Sequence, residues 1–215
     1  VPDHAYRACA SALRVQERLA ELRQKWTEEG DKWPELVHGM RTRIGLNTGP
    51  CMIGNMGSRT RFSYTMMGDD VNLAARMESG AKSWGVYIMV TEATRLACEQ
   101  HASRPMMFRA LGKIRVKGRS TPVPIHELVG WGDEVGEAQK EGLSRFAAGL
   151  DHYRAREWSA AARCFEESAA MEVFQRGRDP GVEANPSLVY QKIVRQMQEN
   201  PPPDDWDGVY AMRSK

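Results

Sequence analysis

The chain has 215 residues, with 30 Lys and Arg against 28 Asp and Glu, a net charge of +2. So even a balance excludes a general nucleic-acid binder, which needs a basic excess or stripe. At 41% hydrophobic and 27% charged residues the chain is an ordinary globular mix, and no apolar run approaches the about 20 residues that span a bilayer.

The first predicted element is a helix over roughly residues 4–27. Ala8, Ala12, Val15, Leu19, Leu22 and Trp26 follow at steps of three and four, which lines them along one face, and Arg14, Glu17, Arg18, Glu21 and Arg23 fill the other. From about residue 40 the texture changes. Residues 41–46 alternate as a half-buried strand does, and Asn47-Thr48-Gly49-Pro50 reads as a turn. Residues 51–57 form a second glycine-punctuated stretch, and residues 61–67 read as a strand.

Gly68-Asp69-Asp70 supplies a break and a helix start, with acids suited to the helix dipole, so a helix is expected over about 70–82. A strand over 86–90 and a short helix capped near Thr91 follow. Two strands, 108–116 and 123–129, are joined by a turn through Lys117 and Gly118. This order predicts an α/β sandwich. Residues 131–142, polar with three glycines, read as a linker. Residues 143–215 read as a small helical appendage in which Trp158, Ala161 and Phe165 resemble part of a tetratricopeptide repeat. One and a half such repeats cannot bury their own faces, so the appendage is expected to pack on something else. Cys9, Cys51, Cys98 and Cys164 are scattered without a CxxC, which suits reduced, cytoplasmic thiols and no structural zinc site.

Among residues that could carry chemistry, Asn72 and Arg76 stand four apart on one predicted helix and so share a face. An amide and a guanidinium there could meet an anionic ligand together. By spacing alone a solvated helix face fits them better. Lys117 beside a turn glycine offers a point charge for phosphate, or merely an exposed lysine. The adjacent acids Asp69 and Asp70 suggest metal, but residues next to each other on a helix diverge in direction, and capping already accounts for them.

Three strings go further: Arg43-Ile-Gly-Leu-Asn-Thr-Gly-Pro50, Gly54-Asn-Met-Gly-Ser58, and residues 64–78 from Tyr-Thr-Met-Met-Gly-Asp-Asp through Arg-Met-Glu. With Leu111-Gly-Lys-Ile-Arg-Val-Lys-Gly118 they resemble, in order, the catalytic domain of class III adenylyl cyclases, over about residues 4–130. The resemblance implies a ferredoxin-like α+β sandwich of the nucleotidyl cyclase type over 1–130, incomplete at its N-terminus, with a helical appendage behind it. It implies conversion of ATP to cyclic AMP and pyrophosphate at the interface of a homodimer, with two divalent ions, Mg or Mn. By the same resemblance Asn72 orients the ribose, Arg76 stabilises the α-phosphate, Lys117 holds the terminal phosphates, and Thr65 with Met66 falls where the family contacts the purine. Thr65 goes with adenine, which favours ATP over GTP.

The family's two metal-binding aspartates and its purine-selecting lysine lie upstream of the first helix, and no matching stretch precedes Val1; Pro50 stands where some members place an arginine. The chain is therefore expected to carry the transition-state half of a composite site and to be inactive alone. The alternatives are a catalytically silent cyclase-like dimerisation module, with the helical tail as a surface for a protein partner, or a guanylyl cyclase. A cytoplasmic location follows for a nucleotide-consuming domain, whether free or membrane-anchored.

Overall fold

The computed structural model describes residues 1–58, 60–115, 121–174 and 182–209. The first helix, α1 (His4–Glu28), has the expected bounds but turns a different face inward: Ala5, Cys9, Ala12, Leu13 and Leu19 are buried, so of the expected stripe Ala12 and Leu19 face the core while Val15 is exposed. It leads through a 3₁₀ turn and the short α2 (Glu35–His38) to the sheet. Then come β1 (Ile44–Leu46), β2 (Met52–Gly57), β3 (Phe62–Met67), α3 (Asp69–Trp84), β4 (Ile88–Thr91), α4 (Glu92–Gln100), β5 (Met106–Ile114) and β6 (Val123–Trp131). Three further helices close the described chain: α5 (Glu137–Arg154), α6 (Trp158–Ala170) and α7 (Pro186–Glu199).

Four strands form one sheet in the order β1-β4-β6-β5. β1 runs parallel to β4, with Ile44 opposite Ile88, and the other two pairings are antiparallel. β4 is central and buried along its whole length, and its side chains alternate between two cores. Ile88 and Val90 face α1 and α4, joining Ala5, Cys9, Ala12 and Cys98. Met89 faces the other way, toward α3 and the C-terminal helices. The result is a mixed α+β sandwich with helices on both faces of the sheet.

The second core explains why the C-terminal helices need the sheet. Leu73, Met77, Ala81 and Trp84 of α3 pack with Leu111, Ile114 and Ile125 of the sheet and with Phe146, Tyr153, Phe165 and Tyr190 of the appendage. Tyr190 stacks on Phe165 at 4.8 Å between ring centres and meets Trp84 at 5.4 Å. Its hydroxyl donates to the Leu111 carbonyl at 2.7 Å. Room for that hydroxyl comes from a bulge in β5 at Gly112, whose φ is +101° and where a Cβ would lie 2.6 Å from the Tyr190 oxygen. Burial pushes the Tyr190 hydroxyl well above the ordinary tyrosine range, so it stays a donor.

Three details differ from the sequence reading. Residues 52–57, left unassigned by their glycines, form strand β2. The stretch 131–142 divides: Trp131 ends β6, and from Glu137 onward the chain is already helix α5. The Glu137-Ala-Gln-Lys-Glu run is helix-favouring, and Gly142, which follows it, is buried against Met171 instead of loosening the chain. Helix α3 is capped by the backbone of Gly68, with Asp69 and Asp70 in its first turn and no side-chain cap.

Candidate active site

β2 and β3 form a two-stranded ribbon separate from the sheet, paired from Met52 opposite Met67 to Gly57 opposite Phe62. Every residue of β3 is exposed, and Phe62, Tyr64 and Met66 are exposed by 65%, 75% and 55%. Successive strand side chains point to opposite faces. Ile53, Tyr64 and Met66 thus share one face of the ribbon, while Thr65 lies on the other with Met52 and Met67. One surface cannot use the side chains of both Thr65 and Met66. So large an apolar surface, carried by a ribbon too small to be stable by itself, is the mark of an interaction site.

The ribbon runs directly through Gly68 into α3. There Leu73 and Met77 face the core, and Asn72 and Arg76 occupy the exposed side of the helix, one turn apart. Among the described residues no hydrogen bond or ion pair engages either side chain. Thr65, Asn72 and Arg76 therefore sit on one continuous strand–turn–helix unit with their polar groups unspent. Lys117, the remaining candidate, lies outside the described residues.

The frame that holds α3 was not singled out by the sequence. Asn47 Nδ2 donates to the Asp70 carbonyl at 3.0 Å and to Asp70 Oδ1 at 3.2 Å, and Thr91 Oγ1 donates to Asn47 Oδ1 at 2.7 Å. Thr91 in turn caps α4, accepting from the Thr94 amide. One asparagine thus ties the end of β1, the start of α3 and the end of β4 together. Gly45 does the rest: a Cβ there would lie 2.1 Å from the Glu78 nitrogen and 2.4 Å from the Ala74 carbonyl oxygen, so only glycine lets the α3 backbone rest on β1. The signal was present in Gly45-Leu-Asn-Thr-Gly49, but its partners lie 23 and 44 residues from Asn47.

Among the described residues there is no group of three His, Cys, Asp or Glu that could hold a metal ion. Asp70 is occupied with Asn47, and Asp69 stands on the next position of the helix. The residues described do not fit a divalent-metal centre.

The sequence profile of a family described as the adenylate and guanylate cyclase catalytic domain matches residues 1–130. The chain belongs to that family. Adenylate cyclase 1 of Rhizobium meliloti is 39% identical over 127 residues, covering 59% of this chain and 18% of that protein. A terminal-differentiation-specific adenylate cyclase of Dictyostelium discoideum is 30% identical over 160 residues, covering 74% of this chain and 7% of that protein. The chain spans less than a fifth of the length of either cyclase. Among solved structures, the adenylyl cyclase CyaB from P. aeruginosa is 32% identical and superposes with a TM-score of 0.49, over 61% of this chain and 62% of that one. No described helix is long and apolar enough to cross a membrane.

Proposed function

We propose that this chain carries the transition-state half of an adenylyl cyclase site. The observation that carries the reading is the placement of Asn72 and Arg76: same exposed face, one helical turn apart, unengaged among the described residues, in a chain of the cyclase family. In the proposed reaction the ribose 3′-oxygen attacks the α-phosphorus of ATP, the bond to the bridging oxygen breaks, and pyrophosphate leaves. Asn72 orients the ribose, and Arg76 meets the charge that develops on the α-phosphate. Neither performs covalent chemistry. Their contribution is position and electrostatics, which dominate phosphoryl transfer.

Thr65 faces the purine in this reading. Met66, on the opposite ribbon face with Tyr64, serves the apolar surface instead. Lys117 holds the terminal phosphates. The ribbon docks on a second copy of the chain, and the homodimer completes the site. Two divalent ions, Mg or Mn, are supplied with ligands other than the described residues. The tail spends its inner faces on α3 and β5, so a protein partner has only its outer face. ATP as substrate places the domain on the cytoplasmic side of any membrane.

The test is cyclic AMP production from ATP and Mn²⁺ by the full-length natural product. Asn72→Ala and Arg76→Ala should each lower kcat by about 10²-fold or more, as loss of a transition-state donor does. Near-normal turnover in either variant would reject the assigned roles. The lack of a metal cluster among the described residues favours a second reading, a dimerising module without chemistry. Metal-dependent turnover by the wild type rejects it. Parallel assays with ATP and GTP decide between the two nucleotides that the family's description allows.

A further inference from the structure

A pocket of about 230 Å³ lies at the end of the sheet away from the Asn47–Asp70 contact, where β1 and β4 begin and α3 ends. Arg43 stands just before β1 and Tyr87 just before β4, while Lys82, Ser83 and Gly85 come from the end of α3. The segment ahead of α7, through Glu183 and Ala184, forms the outer wall. That segment can lie so close because Gly85 has a φ of +68° and no side chain: a Cβ there would lie 2.6 Å from the Ala184 carbonyl oxygen.

The positive charge in this wall is not answered among the described residues. Arg43 Nε is buried and has no hydrogen-bond partner. Buried donors are almost always paired, so an orphan of this kind points to an acceptor from outside the chain. The guanidinium is also held in place: it lies over the Tyr87 ring at 6.0 Å, and the Arg41 guanidinium lies over the same ring at 5.2 Å. Neither Arg43 nor Lys82 is ion-paired among the described residues, and no hydrogen bond engages the Ser83 hydroxyl. Glu183 is the one carboxylate among the described lining residues, so against two cations it leaves one positive charge over. The end of a helix carries partial negative charge, but here the Ala81 and Lys82 carbonyls already accept from the Val86 and Gly85 amides, at 3.0 and 3.2 Å.

We propose that this pocket binds a phosphate group, free or carried on a monoester. Arg43 supplies N–H donors of fixed direction from the strand side, Lys82 a point charge and Ser83 a hydroxyl from the helix side. Two cations and a hydroxyl on separate elements suit a tetrahedral dianion better than a planar monoanion such as a carboxylate. Lys82 stands ten residues beyond Asn72, about 15 Å along α3. The proposal does not depend on the nucleotide chemistry at the other end of that helix.

The experiment titrates the 215-residue chain with sodium phosphate at a pH of about 7.5, where the ion is mostly dianionic, with ionic strength held constant by NaCl. Calorimetry and amide NMR shifts follow the binding, and acetate and phenyl phosphate are run in parallel. Phosphate should saturate at about 1 mM or tighter with shifts at Gly85 and Tyr87, and acetate should bind about tenfold or more weakly. Lys82→Gln, at an exposed position, and Arg43→Gln should each weaken phosphate about tenfold, with melting temperatures confirming that the variants fold. Arg76→Ala, on the nucleotide face of α3, should leave the titration unchanged. Phenyl phosphate separates the two sources: tighter binding than the free ion identifies a monoester, and equal or weaker binding identifies free phosphate. No saturation by phosphate up to about 10 mM overturns the proposal. So does equal binding of acetate, and so does unchanged binding in the Lys82→Gln variant. Loss of binding in Arg76→Ala with retention in Lys82→Gln moves the ion to the nucleotide face and overturns it as well. Should Arg43→Gln not fold, Lys82→Gln and the anion comparison on the wild type decide.

Discussion

Helix α3 presents Leu73, Met77, Ala81 and Trp84 to one side and Asn72 and Arg76 to the other. On the first side each surface is met by another: ring by ring, hydroxyl by carbonyl, glycine by backbone. On the second, among the described residues, nothing engages the polar groups, and the ribbon beside them exposes six large apolar side chains. A folded chain covers apolar surface and pairs polar groups wherever it can, because both are costly to leave unmet. The contrast separates the part of the molecule that is complete in itself from the part whose partners are a nucleotide and another protein surface, as proposed above.

Perturbing the two sides should give opposite results. The largest stability effect is expected at Trp84, fully buried among the tail aromatics: Trp84→Ala should cost about 3–5 kcal/mol in denaturant unfolding. A cost below about 1 kcal/mol would mean that the tail does not hold α3 as described. Arg76→Ala inverts the pattern. Its stability should stay within about 0.5 kcal/mol of wild type while kcat in the full-length product falls about 10²-fold. A comparable loss of stability would make Arg76 a structural residue and erase the contrast.

Smaller effects sharpen it. Tyr190→Phe removes a hydroxyl that donates to the Leu111 carbonyl at the β5 bulge and strands that buried carbonyl, so a loss of about 1–3 kcal/mol is expected with the fold intact. The smallest is a pH effect. His126 Nε2 lies 2.7 Å from Glu92 Oε2, yet burial outweighs that attraction and holds the ring below its ordinary range. The unfolded chain then binds the proton more readily, so the contribution of His126 to stability is full above its ordinary range and is lost as pH falls below about 6.5. His126→Gln should flatten the melting-temperature profile between pH of about 7.5 and about 5.5.

Much of the sandwich was legible from local pattern: α3 from the break and acids at its start, and β4 from a short apolar run that is buried throughout, whereas in α1 the helix was legible but its buried face only in part, since Ala12 and Leu19 are buried and Val15 is exposed. Thr91 was legible as a cap from its place before Glu-Ala-Thr, and its hydroxyl accepts from the Thr94 amide as expected. β2 was hidden by Gly54 and Gly57, which carry no side chain to reveal alternation. The start of α5 was hidden by glycines that read as slack: Gly136 is the open N-cap of the helix, and Gly142 is buried inside it. At the candidate site, the four-residue spacing put Asn72 and Arg76 on one face, but only the surrounding contacts distinguish the exposed face from the buried one. Asn47 illustrates the limit: its role is a set of hydrogen bonds to residues far along the chain, which no local pattern encodes. Arg109 of β5 is of the same kind, since the Glu172 carboxylate that it meets lies 63 residues away.

Gly45 has a mechanical consequence. With no side chain between them, α3 and β1 touch backbone to backbone, and Asn47 pins the upper end of the same contact. Such a joint transmits displacement without cushioning. The helix that bears Asn72 and Arg76 is therefore seated on the sheet with no compressible layer beneath it, and its position is set by the same frame that carries the tail.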